Sequence, residues 1–278
     1  MRISFVYPDI GVNIEEKNFL WWVAQELKNL GHKILENECD KNTELIICMS
    51  ISQMERARQF HIAYPKIPII SYNWDWYPWA DQNKEYKTLL YKSLEVWSAS
   101  KDAAQSLYLA TGINSIPIYG CIVPEEWGDT KDEGYAVMAS RNEWYKRFQW
   151  FEAACKELNI PYKLYHPEIH SRTDYIQGLS NCSLLVSPSL YEGFGLTPIE
   201  AAYNRKPIVL SDIGIFKELW EGKAYFFKSH DYDDFKKVLK KAWEEKGHND
   251  NRKYVEDNFL PKQMAQRMQE RFLAHFLI

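Results

Sequence analysis

The amino-acid sequence predicts an α/β protein of two Rossmann-like domains whose parallel sheets face each other across a cleft. Three observations support this prediction. Short apolar strands alternate with helical patterns, which indicates parallel sheets covered by helices on both faces. The length of 278 residues suits two domains of roughly 100–150 residues each. An acidic, glycine-bearing segment at 123–134 separates two series of strands and is typical of a linker.

The two series of strands define the predicted domains. The first series comprises strands at 3–7, 45–49, 67–72, 95–100 and 116–120, with helices at 14–31 and 100–112. The second comprises strands at 135–140, 162–166, 183–189, 206–211 and 224–227, with helices at 145–159, 197–204, 214–221 and 232–246. The predicted boundaries are therefore 1–125, 126–260 and a C-terminal helix at 261–278, whose apolar face is expected to pack back onto a domain.

Composition excludes several classes of protein. The net charge of −4 gives no large basic surface for a nucleic-acid backbone. The five cysteines are scattered and form no CxxC pair, which favours free thiols in a reducing compartment. No signal segment and no apolar run of roughly 20 residues is evident. A cytoplasmic protein is expected, and contact with a membrane surface is left open.

The stretch YEGFGLTPIEA at 191–201 lies between a predicted strand and a predicted helix. Thr197 is a suitable N-cap, Pro198 suits the first helical position, and Glu200 stands three residues after the cap. This T-x-x-E spacing predicts a capping box. A capping box accounts for one of the two glutamates in the stretch and leaves Glu192 unexplained.

A capping box also does not explain the two glycines of this stretch. Glycines between the end of a strand and the start of a helix let backbone N–H groups approach an anion closely, and the helix dipole favours that anion. A diphosphate is a common ligand of such a turn. The backbone expected to contact it belongs to Gly193, Phe194, Gly195, Leu196 and Thr197.

Residues 184–219 resemble the donor-site motif of GT-B retaining glycosyltransferases of family GT4, also called glycosyltransferase group 1. The Glu-x7-Glu signature of that family is matched by Glu192 and Glu200. The resemblance implies that Glu192 contacts the donor sugar and that Glu200 contacts the ribose of the nucleotide. It also implies that the backbone amides between them bind the sugar and the diphosphate.

Two further segments of the second domain resemble the same family in the same order. Arg141 and Lys146 match a cation pair that neutralises the donor diphosphate, and Ser140 replaces the glycine that usually precedes the arginine. Fixed cations suit this task because departure of a nucleoside diphosphate develops negative charge. The segment 211–219 retains Gly214 and Glu218 of a Gly-Gly-x-x-Glu helix start.

The first domain matches the family more sparsely and is shorter than usual. Gly11 follows the first strand, where the family has a glycine-rich loop near the phosphates and the acceptor. A family histidine is absent after the third strand, and Trp74 and Asp75 occupy its place. Asp75 is therefore the side-chain candidate for a catalytic base. The aromatic segment 72–86 either forms a wall of the acceptor site or covers the sheet.

Other polar residues have two interpretations. Asp231 and Asp233 form a D-x-D that could hold a metal, but the helical pattern after them favours N-capping. A group of four residues, His166, His170, Arg172 and Asp174, either lines a pocket for the nucleotide base or lies in an exposed loop. With no other cluster of metal ligands in the sequence, neither a metal site nor a cofactor is predicted.

The predicted function is retaining transfer of a sugar from a nucleotide-diphosphate sugar to a hydroxyl of a carbohydrate-type acceptor. Glu192 and Asp75 are the candidate catalytic residues. Closure of the domains about the linker would exclude water. The alternatives are a non-catalytic relative that binds sugar nucleotides or glycans, a sugar-nucleotide epimerase, and a nucleic-acid-modifying glycosyltransferase, which the charge balance disfavours.

Overall fold

The computed structural model describes residues 1–8, 19–74, 84–124, 127, 131–166, 169–245 and 250–276. The chain forms two compact units, one of Met1–Cys121 with Phe259–Ile278 and the other of Ile122–Asn258. Each unit contains a sheet of parallel strands with helices between them, which confirms the predicted α/β class. Among the described residues, no helix is long and apolar enough to cross a bilayer.

The first unit contains a six-stranded sheet in the order β2-β1-β3-β4-β5-β6. Its strands are β1 (Arg2–Val6), β2 (Lys33–Glu36), β3 (Leu45–Cys48), β4 (Ile69–Asn73), β5 (Glu95–Ser98) and β6 (Ile116–Pro117). Its helices between the strands are α1 (Phe19–Asn29), α2 (Met54–Ala63), α3 (Lys84–Lys92) and α4 (Lys101–Thr111). Strands β3 and β4 are buried along their whole length, as expected for the centre of a parallel sheet covered on both faces.

The second unit contains a five-stranded sheet in the order β11-β10-β9-β7-β8. Its strands are β7 (Ala136–Ala139), β8 (Tyr162–Tyr165), β9 (Leu184–Ser187), β10 (Ile208–Ser211) and β11 (Tyr225–Phe227). Its helices are α5 (Phe148–Glu157), α6 (Arg172–Ser180), α7 (Leu196–Tyr203), α8 (Gly214–Trp220), α9 (Tyr232–Glu245) and α10 (Arg252–Asn258). The helix predicted at 145–159 is interrupted, because Arg147 takes a left-handed conformation between a 3-10 turn and α5.

The last helix, α11 (Pro261–Phe276), packs within the first unit rather than the second. Its buried face includes Met264, Met268 and Phe272, which recur every four residues as a helix of 3.6 residues per turn requires. The Phe272 ring lies 6.0 Å from the ring of Trp97 and 5.4 Å from that of His32. The helix therefore completes the core of a unit whose other elements lie more than 130 residues earlier in the chain.

A carboxylate on β5 fixes α11 in place. The side chain of Glu95 is 8% exposed and accepts hydrogen bonds from Arg271 on α11 and from the indole Nε1 of Trp97 at 2.7 Å. The Nε2 atom of His275 lies 2.6 Å from the same carboxylate. Burial alone raises the pKa of Glu95, but the donors of Arg271, His275 and Trp97 outweigh it, so the pKa lies below its ordinary value.

Acidification is expected to weaken the docking of α11. Because the pKa of Glu95 is lowered in the folded chain, its stabilisation is complete above the pKa of the unfolded chain. The stabilisation is lost as the pH falls through the folded pKa. Urea unfolding of the wild type and of Glu95→Gln between about pH 6 and pH 3 should therefore show a smaller loss of unfolding free energy in the variant. Equal losses in the two proteins would contradict this assignment.

Candidate functional site

Three neighbouring strands of the second unit end at one edge of the sheet. Strands β7, β9 and β10 are parallel and paired in register, so the loops that follow them emerge side by side. In open parallel sheets this edge is where ligands bind. The loop after β7 contains Arg141 and Lys146, and the loop after β9 contains Glu192 and the glycines of the 191–201 stretch.

The loop after β7 contains one exposed and one buried cation. Arg141 is exposed, and its guanidinium makes no ion pair within the described part of the chain. Lys146 ends a 3-10 turn, Trp144–Lys146, and is almost fully buried. A buried ammonium requires a compensating charge, since transfer of an unpaired ion out of water is costly.

Glu192 supplies the compensating charge for Lys146. The Nζ atom of Lys146 donates to Oε1 of Glu192, and the two side chains are only 8% and 15% exposed. The hydroxyl of Ser189 donates to the same oxygen at 2.8 Å. The structure thus brings together two residues that lie 46 positions apart and that the sequence assigns to diphosphate and sugar. Ser189 is a contact that sequence reasoning did not assign.

The helix after Glu192 begins differently from the prediction. Helix α7 starts at Leu196, its N-cap is Gly195 at φ 80°, and no side chain caps it. The predicted capping box of Thr197 and Glu200 is therefore wrong. The Thr197 hydroxyl instead donates to the carbonyl of Ala139 at the end of β7, at 3.3 Å.

Gly195 has two structural reasons to be glycine. Its φ of 80° lies in the left-handed region, which L residues rarely adopt. A Cβ atom at this position would also stand 2.8 Å from Cε1 of Phe216 on α8. The turn therefore passes close to α8 at Gly195, Phe194 is buried, and α7 starts at the edge of the sheet.

Glu200 is buried and its two oxygens are held by helix α6. Arg172 donates to Oε1 at 3.0 Å, and the hydroxyl of Tyr175 donates to Oε2. The guanidinium carbon of Arg172 lies 4.8 Å from the ring centre of Tyr175 and 5.7 Å from that of Trp127. Tyr175, which holds Glu200, and Trp127, which lies against Arg172, are contacts that the sequence did not reveal. Burial, followed by the charge of Glu200, holds the pKa of the Tyr175 hydroxyl well above its usual value.

Two predicted site residues, Gly11 and Asp75, lie outside the described residues. Trp74, next to Asp75, is described, and its indole Nε1 donates to the carbonyl of Met49. The Trp74 ring lies 4.4 Å from the ring of Tyr72 and 5.2 Å from that of Phe19. This part of the aromatic segment is therefore packed at the carboxyl end of β4 in the first unit.

The remaining polar residues are placed as follows. His166 and His170 are half-buried and lie outside the helices and strands, whereas Arg172 and Asp174 belong to α6. The Nδ1 atom of His166 lies 3.2 Å from the carbonyl oxygen of Ser140. Asp231 accepts from the backbone N–H of Asp234 at 2.9 Å, which confirms its predicted capping role at α9. No group of three or more potential metal ligands occurs among the described residues.

The arrangement is suited to an anion with attached hydroxyl groups. The first backbone N–H groups of α7 have no acceptors within their own helix, and the positive end of its dipole lies at the same edge of the sheet as the loop of Arg141 and Lys146. The carboxylates of Glu192 and Glu200 can accept hydrogen bonds from hydroxyls. Phosphate and sugar are groups with these two properties.

Comparison with known proteins supports this chemistry. Residues 145–258 match the family profile "Glycosyl transferases group 1". The serotype-specific mannosyltransferase WbdA of Escherichia coli is 26% identical over 125 residues, which are 41% of this chain and 14% of that protein. The O-antigen chain mannosyltransferase RfbU of Salmonella typhimurium is 36% identical over 61 residues, 22% of this chain and 17% of that protein. The chain thus covers less than a fifth of these curated relatives.

Solved structures match almost the whole chain. Anabaena Alr3699/HepE, determined in complex with UDP and glucose, has a TM-score of 0.73 at 13% identity and covers 99% of this chain and 100% of its own. Sucrose-phosphate synthase from Thermosynechococcus elongatus has a TM-score of 0.75 at 12% identity, covering 99% of both chains. The fold is therefore that of the GT-B glycosyltransferases. The similarity to the glycosyl transferases group 1 family lies in residues 145–258.

Breaking the buried ion pair is expected to destabilise the second unit. Lys146→Ala leaves the Glu192 carboxylate largely buried without its cation, which should cost about 3 kcal/mol of unfolding free energy. The double variant Lys146→Ala with Glu192→Gln removes both charges and should recover most of that loss. Urea unfolding of the wild type, of each single variant and of the double variant gives the coupling free energy of the pair.

The matched control is an exposed pair on α9. The side chains of Lys240 and Glu244 are 60% and 63% exposed, and Lys240→Ala should change stability by less than about 0.5 kcal/mol. A Lys146→Ala variant no less stable than this control would show that the Lys146–Glu192 pair contributes nothing to the fold.

Proposed function

We propose that the chain is a retaining glycosyltransferase that moves a sugar from a nucleoside-diphosphate sugar to a hydroxyl group of a carbohydrate acceptor. One observation carries the proposal. The buried ion pair of Lys146 and Glu192 lies at the same sheet edge as the glycine turn and the start of α7, which no side chain caps. A structural ion pair alone would need neither the glycine turn nor the uncapped helix.

The diphosphate of the donor would bind at the positive end of this arrangement. Backbone N–H groups from Gly193 to Thr197 can approach the phosphate oxygens, and the dipole of α7 favours negative charge there. Arg141 is exposed and carries no ion pair in the described part of the chain, so its guanidinium is available to a phosphate. Lys146 would turn from Glu192 towards the phosphate when the donor binds.

The same exchange would prepare Glu192 for the sugar. Once Lys146 contacts phosphate, the Glu192 carboxylate can accept hydrogen bonds from the hydroxyls of the donor sugar. Ser189 continues to hold Oε1 and so fixes the orientation of the carboxylate. Glu200 would bind the ribose, and Arg172 and Tyr175 would keep its oxygens in place.

The proposed reaction exchanges one bond at the anomeric carbon for another. The bond from this carbon to the phosphate oxygen breaks, and a bond to the acceptor oxygen forms on the same face of the sugar. The acceptor proton passes to the departing phosphate oxygen, whose developing charge is stabilised by Arg141, Lys146 and the amides of the glycine turn. Asp75 remains the side-chain candidate to assist this proton transfer.

The comparisons support the substrate class. The curated relatives with matching segments are named as mannosyltransferases, and one structure of the same fold was determined in complex with UDP and glucose. A donor made of a sugar and a nucleoside diphosphate is consistent with both. The resemblance to family GT4 further predicts transfer without a metal ion, so EDTA should leave the rate unchanged.

A donor screen by thermal unfolding tests the binding site. UDP-, GDP- and ADP-sugars are added to the wild-type chain, and at least one should raise the melting temperature. A donor present at 100 times its Kd contributes about 2.7 kcal/mol. If none of them stabilises the chain, the proposed donor site is wrong.

Turnover of that donor tests the catalytic assignment. Glu192→Ala should lower the rate of donor hydrolysis or transfer by about 100-fold or more, because an interaction with the reacting sugar is lost. Glu221→Ala is the matched control, since that carboxylate is 71% exposed and pairs with Lys217 on the surface of the same unit. Donor binding without turnover in the wild type would favour the non-catalytic alternative.

A further inference from the structure

Trp144 is an aromatic residue whose exposure the fold does not explain. It is 66% exposed although it lies in the same 3-10 turn as the buried residues Tyr145 and Lys146. An indole left in water forgoes the free energy of burying its large apolar surface. An indole exposed beside a candidate site offers a large aromatic face to a ligand.

Two tyrosines hold the Trp144 ring from the side. Its centre lies 5.8 Å from the Tyr145 ring at 88° and 6.2 Å from the Tyr191 ring at 74°. The backbone N–H of Leu190 donates to the carbonyl of Tyr145 at 2.8 Å, which joins the two segments that carry these rings. The contacts are edge-on, so they support the indole and leave a large part of its surface open.

The supported indole stands at the rim of the candidate donor site. Trp144 precedes Lys146 by two residues, and Tyr191 directly precedes Glu192. The inner members of the site, Lys146 and Phe194, are buried, whereas the loop from Arg141 to Trp144 is exposed. Trp144 therefore lies on the exposed side of the buried pair of Lys146 and Glu192.

We propose that Trp144, supported by Tyr145 and Tyr191, binds a sugar ring of the acceptor by stacking against the apolar face of that ring. The proposal rests on the proposed glycosyltransferase function and adds a subsite to it. One face of a sugar ring presents C–H groups, which suit the negative face of an aromatic ring. The rim of hydroxyls around such a ring can form hydrogen bonds with an exposed polar side chain such as Glu143.

The nucleotide base is a poorer occupant of this platform. The base is joined to the ribose, which the donor-site resemblance assigns to Glu200. Glu200 is held by Arg172 and Tyr175 on α6, whereas Trp144 contacts the segments of Lys146 and Glu192. The diphosphate and the donor sugar would therefore lie between the base and the indole. The acceptor is the remaining participant, and it must approach the sugar end of the donor.

Binding of defined disaccharides tests the platform. Saturation-transfer NMR would measure the Kd of mannobiose, lactose and chitobiose for the chain loaded with the nucleoside diphosphate that stabilises it most. For the tightest of the three, Trp144→Ala should raise the Kd about tenfold or more, and Trp144→Phe by a smaller factor because a ring remains. The melting-temperature increase given by the nucleoside diphosphate should persist in both variants.

Tyr108→Ala is the control for loss of an exposed aromatic ring. Tyr108 is 51% exposed on α4 of the first unit, and its removal should change the disaccharide Kd by less than about twofold. Should Trp144→Ala fail to fold, the disaccharide Kd is compared between Trp144→Phe and an additional variant, Trp144→Leu. Leucine keeps apolar volume without an aromatic face, so the Trp144→Leu variant should bind the disaccharide as weakly as Trp144→Ala.

The outcomes separate this inference from the proposed function. A Kd unchanged in Trp144→Ala overturns the platform, and so does a wild-type chain that binds a nucleoside diphosphate but none of the three disaccharides. Sugar-independent binding of the wild type to lipid vesicles, lost in Trp144→Ala, would assign the indole to a membrane contact instead. Failure of every nucleoside diphosphate to stabilise the chain rejects the donor site, and the acceptor subsite falls with it.

Discussion

The parallel alignment of β7, β9 and β10 is the constraint on which the candidate site depends. Because these strands run in the same direction and in register, their following loops emerge at a common edge. That edge brings Lys146 to Glu192 although 46 residues separate them. It also brings the start of α7 to the end of β7, where the Thr197 hydroxyl contacts the carbonyl of Ala139. An antiparallel strand among the three would carry one of these loops to the opposite edge.

Much of the sheet architecture follows from the sequence, because buried parallel strands leave a local signal. Runs such as LIICM and KPIVLS are apolar and β-branched, and strands form within both. Helix α6 leaves no such signal, because its sequence, RTDYIQGLS, has no apolar stripe and includes Gly178. Its start is fixed by a capping box of Ser171 and Asp174. Gly178 is required by a neighbour distant in sequence, since a Cβ there would lie 2.1 Å from the Tyr165 ring.

The candidate site shows the same division between local and tertiary information. The motif identified Glu192 and Glu200, but the T-x-x-E spacing led to a wrong helix start. Capping is a local preference, and here tertiary contacts prevail: Arg172 and Tyr175 hold the Glu200 carboxylate. Those partners lie more than 20 residues away and carry no pattern that links them to Glu200. Ser189 lies within the segment 184–219 that resembles the family motif, but its hydrogen bond to Glu192 depends on how the loop folds.

The return of α11 to the first unit has a consequence for how the chain is made. Residues 122–258 form a continuous unit that is complete as soon as they leave the ribosome, whereas residues 1–121 lack α11 until later. Until then, the surface that covers Met264, Met268 and Phe272 has no partner, and the Glu95 carboxylate has no arginine. The order of synthesis therefore favours the second unit folding first, because the first unit lacks α11 until that helix has been synthesised.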